Sequence, residues 1–182
     1  MSALYRVITR TYLEMRQRSE FSPVQNGDAR IRIEKIGNCP TSFFRYLYRE
    51  VGRNYDWVDR LDWTGEEIQQ HMAQSSVVLW LMCFDGSPTG YFELAAQNDC
   101  SVQIVHLGLL PEFIGRGLGK HLLSRAIEEA WSMGASRVWL HTSTLDDPAA
   151  MPNYLKFGFK PFKTETYAAL ASPPLGTGVE VI

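Results

Sequence analysis

The sequence predicts a single-domain, mixed α/β fold, a sheet layered with helices and joined by a crossover helix. Three observations predict it. Segments of strand period and helix period interleave in the order β, α, α, β, β, β, α, β, α, β from Ala29 onward. At 182 residues and 45% apolar, the chain can fill one core and is short for two domains. The two segments that read as flexible, Arg18 to Asp28 and Ala171 to Gly178, are too short to separate domains. The division expected is an N-terminal extension over 1–28 with an extra strand, a domain over 29–170 and a tail over 171–182.

Each element has a local reason. Tyr5 to Met15 is rich in aromatic and β-branched residues and reads as that extra strand. Ala29 to Ile36 alternates charged residues with isoleucines. Thr41 is expected to cap a helix from Ser42 to about Val51, with Phe43, Tyr46 and Leu47 on one face and Gly52 at its end. A second helix begins after Thr64, with Glu66 and Glu67 favourable in its first turn. The period then changes: Val77 to Phe84, Asp85-Gly86 and Gly90 to Ala96 read as a hairpin, and Ser101 to Leu110 as a further strand. From Gly117 to Met133 runs the clearest helix. Leu118, Leu122, Leu123, Ala126, Ile127, Ala130 and Trp131 form its apolar stripe, and Gly134 stops it. Ser136 to Thr142 reads as a buried strand, Pro148 to Lys156 as a short helix closed by Gly158, and Phe159 to Tyr167 as a last strand.

Composition excludes several classes. With 18 basic and 20 acidic residues the net charge is −2, which lacks the basic footprint of a nucleic-acid binder. Cys39, Cys83 and Cys100 form no close pair, so neither a disulfide framework nor a zinc ribbon is indicated. Reduced thiols and a cytoplasmic location are the expectation. The first fifteen residues lack the apolar run of a signal peptide, and Val77 to Phe84 is too short to cross a bilayer. No spacing among His71, His106, His121 and His141 suggests a metal site.

The chemistry concentrates at one junction. Leu107-Gly108-Leu109-Leu110-Pro111 leads into Gly115-Arg116-Gly117-Leu118-Gly119-Lys120 and then the strong helix. Glycines let backbone N–H groups approach a ligand, and a helix N-terminus supplies free donors and partial positive charge, which suits a pyrophosphate. Arg116 and Lys120 add charge at the rim. A P-loop is ruled out because Ile114 stands where its first glycine belongs and His121 follows Gly119-Lys120.

Here the sequence resembles the GNAT superfamily of N-acetyltransferases, which use acetyl-CoA. The family's Gln/Arg-x-x-Gly-x-Gly/Ala is met by Ile114-Gly115-Arg116-Gly117-Leu118-Gly119, with Ile in the first place. A downstream family pattern, Asn-x-x-Ala-x-x-x-Tyr-x-x-x-Gly-Phe, is met by Asp147 through Ala150 and Tyr154 to Gly158-Phe159, with Asp147 replacing Asn. The resemblance covers roughly residues 77–165 and is expected to extend upstream to Ala29. It implies a mostly antiparallel sheet whose central strands splay, the strand ending at Leu110 from the one beginning at Ser136. It also implies a pantetheine arm paired near Leu107, Gly108, Leu109 and Leu110, and a pyrophosphate on Ile114 to Lys120. Asp147, Ala150 and Tyr154 complete the implied cofactor-binding set, with acetyl-CoA as cosubstrate and no metal.

Acetyl transfer to an amine needs an acid for the departing thiolate and a way to remove the ammonium proton. Tyr154 matches the family's acid; by propensity alone it reads as an aromatic packing residue on a short helix. For the base, the family's strand carboxylate falls on Gln103, which cannot accept a proton at neutral pH. Glu93, His106 and a water relay are the open alternatives. The acid- and aromatic-rich stretch Tyr46 to Trp63 corresponds to one wall of the family's acceptor site, or else to half-buried aromatics under a loop. The expected function is N-acetylation of a primary amine, small-molecule or peptide, by a monomer or homodimer without nucleic-acid or membrane partners. A non-catalytic acyl-CoA-binding module and another acyl-CoA chemistry are the alternatives.

Overall fold

Seven strands make one sheet in this computed structural model, which describes residues 5–24, 26–55 and 57–170. In chain order they are β1 (Tyr5–Met15), β2 (Ile31–Lys35), β3 (Val77–Phe84), β4 (Ser87–Ala96), β5 (Ser101–Leu109), β6 (Arg137–Ser143) and β7 (Lys160–Leu170). The helices are α1 (Thr41–Gly52), α2 (Gly65–Met72), α3 (Leu118–Ser132) and α4 (Ala150–Lys156). The strand order is β2-β3-β4-β5-β6-β1-β7. Every pairing is antiparallel except β5 with β6, the pair joined by α3.

Alternation along the strands makes two cores. On one face Leu13, Met15, Phe92, Leu94, Val138 and Leu140 pack with the α3 stripe of Leu118, Leu122, Leu123, Ala126, Ile127 and Ala130. On the other, Leu79 and Tyr91 meet Phe44, Leu47 and Val51 of α1 and Ile68 of α2. Two-faced burial explains why β3 and β4 read as near-continuous apolar runs.

Several local expectations are corrected. Thr41 is the first residue of α1 rather than its cap; the Pro40 carbonyl accepts from the Phe43 and Phe44 N–H groups. The buried stripe of α1 is Phe44, Leu47, Tyr48 and Val51, which leaves Tyr46 exposed. A run of adjacent aromatics satisfies two helical phases, and contact with β4 selects one. α4 begins two residues after Pro148, because the Asp147 side chain accepts from the Ala149 N–H (2.8 Å) and forms a turn there. The segment expected to be flexible after Arg18 is tied down as far as Val24. Glu20 accepts from the Arg16 and Gln17 N–H groups, Phe21 stacks on Phe157, and the Val24 N–H donates to Ser124 Oγ. The other segment, from Ala171, lies outside the described residues, as does the expected tail over 171–182.

α2 starts as its sequence signals. Thr64 and Glu67 form a reciprocal capping box, with Glu67 N–H donating to Thr64 Oγ1 at 3.2 Å and Thr64 N–H to Glu67 Oε2 at 2.6 Å. The extra strand is placed less expectedly. β1 sits inside the sheet, between β6 and β7, and pairs along its length with β7.

Candidate active site

β5 and β6 run side by side only from Ser101↔Arg137 to Gln103↔Trp139. Past that point Ile104 to Leu109 and Leu140 to Ser143 have no mutual pairing, and a cavity of about 880 Å³ opens between them. This is the splay expected. It leaves the β6-facing edge of β5 without a strand partner, so its N–H and C=O groups remain for an extended ligand. Gly108 stands in this edge for a steric reason: a Cβ there would lie 2.5 Å from Val51 Cγ1, so α1 packs on bare backbone.

At one end of the cavity lie Ile114, Gly115, Gly117, Gly119 and Lys120. Gly117 immediately precedes α3 with φ +76°, and no side chain caps that helix end. Its first-turn N–H groups are therefore left for an anion, aided by the helix dipole. Cβ atoms at Gly115 or Gly117 would meet nothing within 4 Å, so the space in front of the turn is open. The fit to a pyrophosphate thus rests on free donors, open room and the Lys120 charge. Leu107, Gly108 and Leu109 line the cavity too, as do Asp147, Ala150 and Tyr154. Three other expected residues do not. The side chains of Leu110 and Leu118 are buried in the two cores, and the Arg116 guanidinium stacks over the Phe113 ring.

His106 of β5 also lines the cavity and pairs across the sheet with Glu93 of β4. A register shift follows directly: Leu94 pairs with Ile104, leaving Val105 as an extra residue. Gln103, where the family's carboxylate was counted, lies instead on the zipped stretch beside Trp139. Glu93 does not line the cavity and is fully buried behind it. Both its oxygens are engaged. Arg60 Nη1 donates to Oε2 at 2.6 Å and Nη2 to Oε1 at 3.0 Å, and His71 Nε2 lies 2.9 Å from Oε1. His106 Nδ1 stands 3.7 Å from Oε2, too far for a hydrogen bond, and this buried nitrogen has no hydrogen-bond partner.

These contacts set the protonation states. Burial pushes the Glu93 carboxyl up, but the adjacent His106, His71 and Arg60 outweigh it and hold Glu93 well below the usual carboxylate range. Burial pushes His106 down, against the pull of Glu93, so its imidazole is neutral at pH 7. Tyr154 is raised far above an ordinary phenol, by burial and then by Asp146 and Asp147, so it is protonated. Among the described residues its hydroxyl has no hydrogen-bond partner. The site thus holds a neutral imidazole and a protonated phenol, both lining one cavity.

From the stretch Tyr46 to Trp63, residues Tyr48, Tyr55, Trp57, Val58, Asp59 and Arg60 line the cavity. Tyr55 reaches across to the loop before α4, its hydroxyl donating to Asp147 Oδ2 at 3.2 Å. Sequence reasoning missed Arg60 and His71, which fix Glu93, and the residues from β1 and β7: Arg6, Ile8, Arg10, Glu165, Tyr167 and Ala169. A signal for β1 existed. Arg6, Ile8 and Arg10 recur at strand period, so they point to one face.

A profile of the acetyltransferase (GNAT) family matches residues 41–159. An uncharacterized N-acetyltransferase of Mycobacterium tuberculosis is 35% identical over 83 residues, 46% of this chain and 53% of that protein. The chain thus spans about half the length of the curated relatives it matches. Among solved structures, a GCN5-related N-acetyltransferase from Kribbella flavida superposes with TM-score 0.65 at 17% identity, covering 94% of this chain and 62% of that one. Another from Sphaerobacter thermophilus gives TM-score 0.67 at 16% identity, over 90% and 52% of the two chains. At those identities the superpositions speak for the fold. The family match takes in α1 through α4, including the glycine turn, Glu93, His106 and Tyr154, and on it the chain belongs to the GNAT acetyltransferase family.

Proposed function

We propose that this chain transfers an acetyl group from acetyl-CoA to a primary amine by direct attack, with His106 as base and Tyr154 as acid. One observation carries the reading: a single cavity joins the uncapped glycine turn at α3 to a neutral His106 and a protonated Tyr154. The unpaired edge of β5 and the α3 N-terminus hold the pantetheine amides and pyrophosphate, and orient the thioester. The amine nitrogen attacks the thioester carbonyl carbon, so a C–N bond forms and the C–S bond breaks. His106 takes the proton lost by nitrogen, and Tyr154 gives its proton to the departing sulfur. Glu93 is a poor base, being ionised with both oxygens bonded; it is a positioning residue that stabilises the imidazolium as it forms.

Calorimetry with CoA, followed by thiol release from acetyl-CoA across an amine panel, tests the proposal. Micromolar binding and amine-dependent thiol release are expected. Binding without turnover on any amine supports the acyl-CoA-binding module instead.

A further inference from the structure

We propose that the acceptor amine also carries a carboxylate, as an amino acid does, and that Arg10 with the Tyr167 hydroxyl holds that carboxylate. This rests on the acetyltransferase reading and adds the substrate class. Arg10 lies on β1, opposite Ser143 of β6 and Glu165 of β7, outside the stretch matched by the family profile. It lines the cavity together with His141, Ser143 and Tyr167.

Its near neighbours are the hydroxyls of Tyr167 and Tyr12, and no carboxylate pairs with it among the described residues. Nη2 donates to the Tyr167 hydroxyl at 3.1 Å, and the guanidinium lies 5.4 Å from the centre of that ring. Nε is buried without a hydrogen-bond partner. Among the described residues no carboxylate lies within ion-pairing distance of Arg10, whereas Arg60 in the same cavity is neutralised by Glu93. Glu165, the cross-strand neighbour, acts on Arg10 only through its field and makes no ion pair with it: Lys163 Nζ meets its Oε1 at 2.6 Å, and the Tyr12 hydroxyl donates to Oε2 at 2.8 Å. A part-buried guanidinium lacking a counter-ion is costly, and its planar fork matches a carboxylate.

The opposite charge lines the same cavity. Asp59, in the loop between α1 and α2, has no ion pair among the described residues and acts electrostatically on both Arg10 and His106. Cation and anion lining one cavity match a zwitterion. The carboxylate meets Arg10, and the ammonium meets Asp59 before its proton passes to His106.

The test uses acetyl-CoA with the twenty standard L-amino acids, their amides and O-phosphoethanolamine, reading thiol release. The best acids should exceed their amides at least tenfold in kcat/KM. R10M should bring that preference close to unity through KM while leaving CoA affinity unchanged. R10K keeps the charge without the fork and should retain only part of the preference; with Y167F it serves if R10M does not fold. Amides reacting as well as acids, or an acid preference surviving in R10M, overturns the proposal. So does faster reaction of O-phosphoethanolamine, or loss of CoA affinity in R10M, which would assign Arg10 to the cofactor's phosphates. If CoA does not bind the wild type at all, the acetyltransferase reading itself fails. If CoA binds and nothing turns over, calorimetric titration of the CoA-loaded protein with the acids decides, and absence of Arg10-dependent binding overturns the proposal.

Discussion

Tyr154 and His106 carry the sharpest tests because their protonation states follow from burial. Tyr154→Phe should keep CoA affinity and lower kcat by about 10²–10⁴-fold, the usual range for an acid–base group. Stopped-flow turnover beside CoA calorimetry checks this; an unchanged kcat with chemistry rate-limiting would return Tyr154 to packing. For His106, the acid limb of the kcat/KM profile should sit below the ordinary imidazole value of about 6.5, since burial lowers it. His106→Asn should remove that limb. Glu93 raises the His106 value, so Glu93→Gln should shift the limb to lower pH rather than abolish it. The same change leaves Arg60 without its buried counter-charge and should destabilise the fold by about 3–5 kcal/mol in denaturant unfolding. A rate climbing only toward the amine's own value near 10, equally in both variants, would mean that the acceptor arrives neutral and neither residue is the base. At this scale the sequence offered Glu93 and His106 as alternatives. The structure makes them cross-strand neighbours, because β4 and β5 carry residues 93 and 106 to opposing register positions while Arg60 and His71 close on the carboxylate.

Among the elements, the α3 N-terminus was the most legible. Alternating glycines, a Leu/Ala stripe and Gly134 are all local signals, and helix and turn follow them closely. Gly117→Asp should lower CoA affinity well over tenfold, about 1.4 kcal/mol or more, by calorimetry. Asp tolerates the left-handed backbone at this position better than most residues, so the loss should come with an intact circular dichroism spectrum. The capping box of α2 makes a separate prediction. Thr64→Ala should cost about 1 kcal/mol in denaturant unfolding and leave CoA affinity untouched, since Thr64 does not line the cavity. Where elements were misread, the sequence was locally degenerate. Phe43, Phe44, Tyr46, Leu47 and Tyr48 give α1 more than one apolar face, and only contact with the sheet chooses.

For the whole molecule the decisive feature is the position of β1. Leu13 is fully buried against the α3 core, so Leu13→Ala should cost about 2–5 kcal/mol, read as a lower denaturation midpoint. A surface-laid extension would lose far less. From sequence alone, residues 5–15 could be assigned to a strand, but not to a place between β6 and β7. Period and turn chemistry are written over a handful of neighbouring residues: the interleaved elements, the glycine turn, the Tyr154 motif and the splay implied by family resemblance were therefore readable. Pairing between residues 10, 143 and 165 is settled by which faces the whole chain can bury at once. So are the extra residue at Val105, the neutralisation of Glu93 by Arg60, and the absence of an ion-paired carboxylate at Arg10 among the described residues. Each depends on groups brought together across the sheet, where burial and charge are determined by tertiary packing and have no local signature.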